Sequence, residues 1–225
     1  MSVSGERRPR RSSADDAARY IQRLIFDGQL RPGERVPQDD VANALGISRI
    51  PIREALIALE GAGWVTIELN RGAFVNALDE QAVRDHYELY GMVYGLAAQR
   101  ALKRGAEGLD EELGKLVYSL QRTDDVREFW QLVLAFHDAV LRAAKSPRIA
   151  VVLRALSGLV PGNFFELVPA AIVVERRGLA AVARAVKRGD PDRAAQEYRR
   201  MMRRQADNVV TVFRARGVLP PPSRS

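Results

Sequence analysis

Ser48, Arg49, Ile50 and Arg53 open a short segment with an apolar stripe, and the two arginines stand four residues apart. On a helix that spacing puts both guanidinium groups on one face. A guanidinium fork takes two acceptors of a guanine edge at once, and an aliphatic side chain can meet a thymine methyl. Other reactive types are sparse. The chain has two histidines, His86 and His137, and no cysteine. No nucleophile, base and acid stand at spacing for covalent catalysis, and there is neither a phosphate-binding loop nor a GxGxxG run. The chemistry on offer is therefore the reading of a nucleic acid, and no enzyme activity is expected. Glu88, Asp138 and Glu166 read as isolated, solvated carboxylates. His86, among acidic neighbours, reads as a surface residue, and His137 as a hydrogen-bonded core or pocket residue.

The arginines need elements that aim them. Ala17, Ala18, Ile21, Leu24 and Ile25 recur at helical spacing, which predicts a helix over 14–27. Asp39 and Asp40 favour the start of a second helix running to about Leu45, with Val41, Ala44 and Leu45 as its buried face. Gly46 ends it, because glycine tolerates the left-handed turn. Ser48 suits the N-cap of a third helix, and Pro51 falls in its first turn, where it costs little. Ile52, Ala55, Leu56 and Leu59 form that helix's apolar stripe. Beyond Gly61-Ala62-Gly63, the stretch from Trp64 alternates, turns at Asn70-Arg71-Gly72 and returns through Ala73–Val75, which predicts a β-hairpin. Its tip offers the Arg71 charge and the bare backbone of Gly72 to a phosphate. Two short helices on a tight glycine turn make a helix-turn-helix, whose second helix enters the major groove. Either arginine alone reads as a solvated surface charge, but the whole constellation does not.

Residues 14–77 resemble the DNA-binding domain of the GntR family, carried by IFDGQLRPGERVPQDDVANALGISRIPIREALIALEGAGWVTIELNRGAFV. The resemblance implies DNA contacts at Ser48, Arg49, Arg53 and Gly72. It also implies a Glu followed by a DNA-touching Arg at the start of the second helix, where this chain has Gln38 and Asp39. An acid there repels phosphate, so that contact is expected to be lost or the operator to differ.

From Leu78 onward no strand is expected. Helices or helix pairs are predicted over 79–104, 109–121, 124–145, 147–160, 163–188 and 190–215, with Asp110, Asp124 and Asp190 near helix starts. Phe164 and Phe165 read as core. The pieces AFHDAVLRAAKSPRI and LAAVARAVKRGDPDRAAQEYRRMM resemble the FCD domain of the FadR-type subgroup of that family. Many members of the subgroup hold a divalent metal through one Asp and three His, and the metal helps bind a carboxylate ligand. Here Val133 stands at the Asp position, His137 is the remaining His, and Leu179 and Met201 stand at the other two. Tyr90 stands where an Arg faces the ligand. No metal or other cofactor is therefore expected. Tyr90, Tyr94, Val133, His137, Leu179 and Met201 are expected to line an apolar, uncharged effector pocket suited to a fatty acid, an acyl-CoA or a similar acyl-type molecule. An organic-acid effector, or none at all, are the alternatives.

Length and charge set the remaining bounds. The 225 residues suffice for two small domains. No apolar run approaches the ~18–20 residues that cross a bilayer, so no membrane partner is expected, and the absence of cysteine suits a cytoplasmic setting. The net charge of +7 is unevenly placed. Residues 170–225 hold 13 basic against 5 acidic side chains, while residues 1–77 hold 11 against 10. The Arg199–Arg204 run reads as a solvated helix face, and Arg7, Arg8, Arg10 and Arg11 as a source of nonspecific phosphate affinity. The expected plan is mainly α. A disordered basic tail covers 1–13, a winged helix-turn-helix 14–77, an all-helical effector-binding and dimerisation domain 78–217, and a disordered tail 218–225. The expected partners are double-stranded operator DNA, a small-molecule effector and a second copy of the chain.

Overall fold

A computed structural model describes residues 12–77, 79–157 and 164–219. The chain separates into two compact units, residues 1–77 and 78–225. The arginines at 7, 8, 10 and 11 and the expected break at Pro161-Gly162 lie outside the described residues.

In the first unit, α1 (Ser13–Phe26), α2 (Gln38–Leu45) and α3 (Arg49–Gly61) are followed by the antiparallel pair β1 (Val65–Glu68) and β2 (Gly72–Val75). The helix begins earlier than expected because of a capping box. Ser12 Oγ accepts from the Asp15 N–H at 3.1 Å, and an Asp15 carboxylate oxygen accepts from the Ser12 N–H at 3.2 Å. Ala17, Ile21, Ile25 and Phe26 of α1 are buried, as are Ile52, Ala55, Leu56 and Leu59 of α3. The Phe26 and Trp64 rings lie 5.6 Å apart. On α2 the buried pair is Val41 and Ala42, while Ala44 is exposed and Leu45 half-buried. An eight-residue helix has room for only one inward turn, so the expected stripe is shortened. Gly46 adopts φ +64, and the helix stops there as expected.

The sheet holds one segment more than the hairpin. Arg35 bridges Phe74, the Val36 N–H donates to Ala73 O at 2.8 Å, and the Val75 N–H donates to Glu34 O at 2.9 Å. The turn at Pro32-Gly33 hid this short edge from a reading by alternation.

The second unit is all-helical among the described residues. It comprises α4 (Glu80–Lys103), α5 (Leu109–Arg122), α6 (Val126–Ala144), α7 (Pro147–Ser157), α8 (Phe164–Leu167), α9 (Ala170–Lys187) and α10 (Pro191–Ala215). Of the helix or helix pair expected over 163–188 the pair is found, because Pro169 lacks an N–H and disfavours helical backbone before it. The α6 cap is Asp125, one residue after the expected Asp124, and it accepts from the Arg127 and Glu128 N–H groups at 2.8 Å. The ordered chain also passes residue 217. Val218 and Leu219 are buried, and their N–H groups donate to Phe213 O and close the end of α10.

α4 and α10 pack at close range. A Cβ at Gly91 meets Arg199 Cα at 3.0 Å, and one at Gly95 meets Ala195 Cα at 3.2 Å. Two glycines four residues apart thus form a flat strip against which α10 backbone lies. Between the helices runs a chain of rings. His86 stacks on Tyr90 (5.8 Å), Tyr90 meets Tyr94 edge-on (4.9 Å), and Tyr94 stacks on Tyr198 (5.4 Å). His86 is therefore buried, not on the surface as its acidic neighbours suggested. It shares a helical face with Val83, Tyr87, Tyr90 and Tyr94, and that face decides its position more than Asp85 or Glu88 does. Its Nε2 is buried without a hydrogen bond, and burial pushes its pKa down to about 4.

Two outcomes test this packing. Gly91→Val forces α4 and α10 apart and should cost about 1–3 kcal/mol in urea unfolding; unchanged stability would mean that the helices do not approach so closely. His86 stays neutral when folded, whereas an unfolded histidine titrates near 6.5. Between pH 6.5 and about 4 the unfolded chain takes up a proton that the folded chain refuses, so stability falls as pH falls through that window. His86→Phe keeps the ring stack and should remove about 1–2 kcal/mol of the stability difference between pH 7 and pH 5. An identical difference in both proteins would place His86 in water.

Candidate nucleic-acid interface

α3 owes its aim to its amphipathic pattern. The Ile52, Ala55, Leu56 and Leu59 face is buried, which turns Arg49, Ile50 and Arg53 outward. Ile50 is 69% exposed, an unusual place for a large aliphatic side chain. Ser48 holds the N-cap position with extended backbone, but its hydroxyl makes no capping bond and is exposed. The hydroxyl is thus at liberty to meet a phosphate or base at the positive end of the helix. The structure brings the four expected residues together on one exposed helix start. It adds a partner that spacing did not reveal: Asp39 Oδ1 of α2 lies 2.8 Å from Arg49 Nε. The two residues are ten apart in sequence, and only the helix-turn-helix angle joins them.

The wing is tied to α3 by polar contacts. Glu60 Oε1 accepts from the Ile67 N–H at 2.7 Å, Asn76 Nδ2 donates to Gly63 O at 2.9 Å, and Thr66 Oγ1 donates to Asn76 Oδ1 at 2.7 Å. At the tip Arg71 is exposed, pairs with Glu68 and lies over the Phe74 ring at 5.4 Å. Gly72 has φ +109, and a Cβ there meets Arg35 Nε at 2.6 Å. That backbone favours glycine, and the Arg35 guanidinium lies close over it. Arg35 therefore joins Arg71 beside the tip, a cation that sequence reading missed because its strand segment was not recognised.

In the second unit the expected effector-pocket residues divide. Tyr90, Tyr94 and His137 form one ring cluster, with the Tyr94 and His137 centroids 4.3 Å apart. Val133, Leu179 and Met201 are buried on α6, α9 and α10. Met201 fills the space above Gly178, where a Cβ meets its side chain at once. A hard divalent cation needs oxygen or imidazole donors, and valine and leucine offer none. The residues at the implied metal positions do not fit a metal. Among the described residues no group of three His, Asp or Glu side chains gathers as ligands.

The interior is apolar at those positions but not uncharged. Glu175, four residues before Leu179, is only 4% exposed. One of its oxygens accepts from Gln205 Nε2 at 2.6 Å, and the other lies 3.5 Å from His137 Nε2. Tyr198 OH and His137 Nδ1 are 3.5 Å apart. Burial, with a smaller contribution from the Glu175 charge, raises the pKa of Tyr87, Tyr94 and Tyr198, so their hydroxyls stay neutral. Glu175, Tyr198 and Gln205 went unnoticed in the sequence because none stands at a position that the resemblance singled out.

The comparisons follow this geometry. Residues 13–75 match the family described as bacterial regulatory proteins, gntR family, and residues 85–204 match the FCD domain. An HTH-type transcriptional regulator of Mycobacterium tuberculosis is 33% identical over 151 residues, 67% of this chain and 62% of that protein. The chain thus spans less than two thirds of that relative. The Nta operon transcriptional regulator of Aminobacter aminovorans is 30% identical over 132 residues, 56% of this chain and 61% of that protein. Among solved structures, E. coli McbR/YncC has a TM-score of 0.61 at 17% identity, over 92% of this chain and 99% of that one. That likeness speaks to the fold alone. The matched domains and relatives are those of transcriptional regulators and not of enzymes. No helix among the described residues is long and apolar enough to cross a membrane. Helix-turn-helix, wing and helical second unit agree with both domain matches, and the chain belongs to the GntR family of bacterial regulatory proteins, in the subgroup that carries an FCD domain.

Proposed function

We propose that this chain is a sequence-specific repressor of transcription that binds double-stranded operator DNA as a homodimer and responds to a small effector without a metal. The observation that carries the reading is the start of α3, where Ser48, Arg49, Ile50 and Arg53 stand exposed above a buried apolar face. In a helix-turn-helix those positions reach base edges, and the Arg71–Gly72 tip with Arg35 reaches the backbone. One recognition helix gives little specificity, and a two-fold protein reads a two-fold site. Leu89, Met92 and Leu96 form an exposed apolar stripe on α4 at positions i, i+3 and i+7, a surface suited to a second copy. A gluconate operon transcriptional repressor of Bacillus subtilis is 25% identical over 126 residues, which supports the sign of regulation.

The effector is an uncharged apolar or acyl-type molecule. Val133, Leu179 and Met201 supply apolar walls, and His137, Tyr198 and Gln205 offer a head group hydrogen bonds. Val133, Leu179 and Met201 offer an organic acid no cation and no ligand for a hard metal, so that alternative is disfavoured. Effector binding shifts the population between DNA-competent and incompetent arrangements.

Arg53→Ala and Arg49→Ala should each weaken operator binding by about 1–3 kcal/mol in fluorescence anisotropy, with the melting temperature unchanged. Wild-type affinity in either variant would remove α3 from the role of reader. In a melting screen with chelator present, medium- and long-chain acyl esters should raise the melting temperature with concentration, and citrate should not. A rise that needs citrate plus a divalent ion would instead establish a metal-assisted acid site.

A further inference from the structure

Asp39 and Arg49 meet across the two helices of the helix-turn-helix, Oδ1 to Nε, at 2.8 Å. Both side chains are largely open to water, 65% and 68% exposed. An ion pair so placed contributes little to folding. Yet a carboxylate on a surface meant for phosphate is costly to DNA binding, so its presence there asks for another reason. The contact offers one. The contact to Asp39 is made at Nε, and the terminal nitrogens of the guanidinium carry four further N–H donors, enough in number for the N7 and O6 acceptors of one guanine. A long side chain already held by a partner also loses less conformational freedom when it binds. A carboxylate placed there can itself accept from a base amine, such as N4 of cytosine or N6 of adenine.

We propose that Asp39 is a positioning and specificity-determining residue. It holds the Arg49 guanidinium for a guanine, and it discriminates at the base pair that the two side chains share. The proposal rests on the reading of α3 as the recognition helix. In the sequence Asp39 looks only like a repulsive charge at a DNA-facing helix start; in the structure its charge is balanced by the residue expected to read the base.

The test is selection of binding sites from a pool of duplexes with a randomised 20-base-pair core, using the full chain. Anisotropy titrations of the selected and a scrambled duplex then follow. Five proteins are compared: wild type, Asp39→Ala, Asp39→Asn, Arg49→Ala and the Asp39→Ala/Arg49→Ala double variant. Arg49→Ala should flatten one guanine position in each half of the selected motif. Asp39→Ala should flatten that same position, and roughly tenfold of affinity for the selected duplex should go while affinity for the scrambled duplex holds or rises. Asp39→Asn, which keeps a hydrogen-bonding oxygen, should fall between. The double variant should lose no more than Arg49→Ala alone. If Asp39→Ala keeps the motif and tightens both duplexes equally, Asp39 is a repulsive charge and the proposal is wrong. If Arg49→Ala itself leaves the motif intact, the recognition-helix reading fails and takes the proposal with it. A wild type that enriches no motif would overturn sequence-specific binding altogether.

Discussion

Burying Ile52, Ala55, Leu56 and Leu59 along one side of α3 is the constraint on which the proposed DNA-facing surface depends. Each buried aliphatic side chain is worth roughly 1.5–3 kcal/mol of transfer free energy, while the exposed arginines add little to folding. The helix is therefore oriented by residues that never meet DNA. Everything around it serves the same alignment. α1 supplies the apolar floor through Ala17, Ile21 and Ile25, Gly46 sets the turn, and Glu60 ties the far end of α3 to the wing at Ile67. The arginines face outward because the opposite face cannot.

The electrostatics of the first unit are local, not global. A segment with 11 basic and 10 acidic residues has no strong field to steer it toward a polyanion. Acids are instead spent on individual cations: Asp39 on Arg49, Glu68 on Arg71, Asp16 on Arg19. Such pairing lowers nonspecific phosphate affinity, and it fixes the directions of the guanidinium groups that remain near the contact surface.

Much of this was legible in the sequence, and the gaps share a cause. Helix order, the left-handed turn at Gly46, the hairpin and the outward face of α3 follow from period, glycine and proline, which are local signals. The misses are long-range. The strand edge at Arg35 exists only because Val36 finds Ala73, and the Asp39–Arg49 pair exists only because two helices cross. His86 was placed by its neighbours in sequence, but its neighbours in space are Tyr87 and Tyr90 on the α4 face that packs inward. Local differences lie at helix ends, where the Ser12 capping box starts α1 one residue early and the cap of α6 is Asp125, one residue after Asp124.

Glu175 poses the harder physical question. A buried carboxylate is costly unless donors surround it, and Glu175 meets the amide of Gln205 and the ring of His137. Val133, Leu179 and Met201 stand where the family resemblance implies metal ligands, so no cation compensates the charge from that side. What the interior does provide is connection: Glu175 on α9 reaches Gln205 on α10 and His137 on α6, and through it the rings of Tyr198 and Tyr94. A polar group that links four helices makes their arrangement depend on one another. A molecule that entered here and took one of those hydrogen bonds would therefore be felt along α4 and α10, the two helices that Gly91 and Gly95 hold in near-backbone contact. Stiff packing of that kind transmits a small displacement instead of absorbing it.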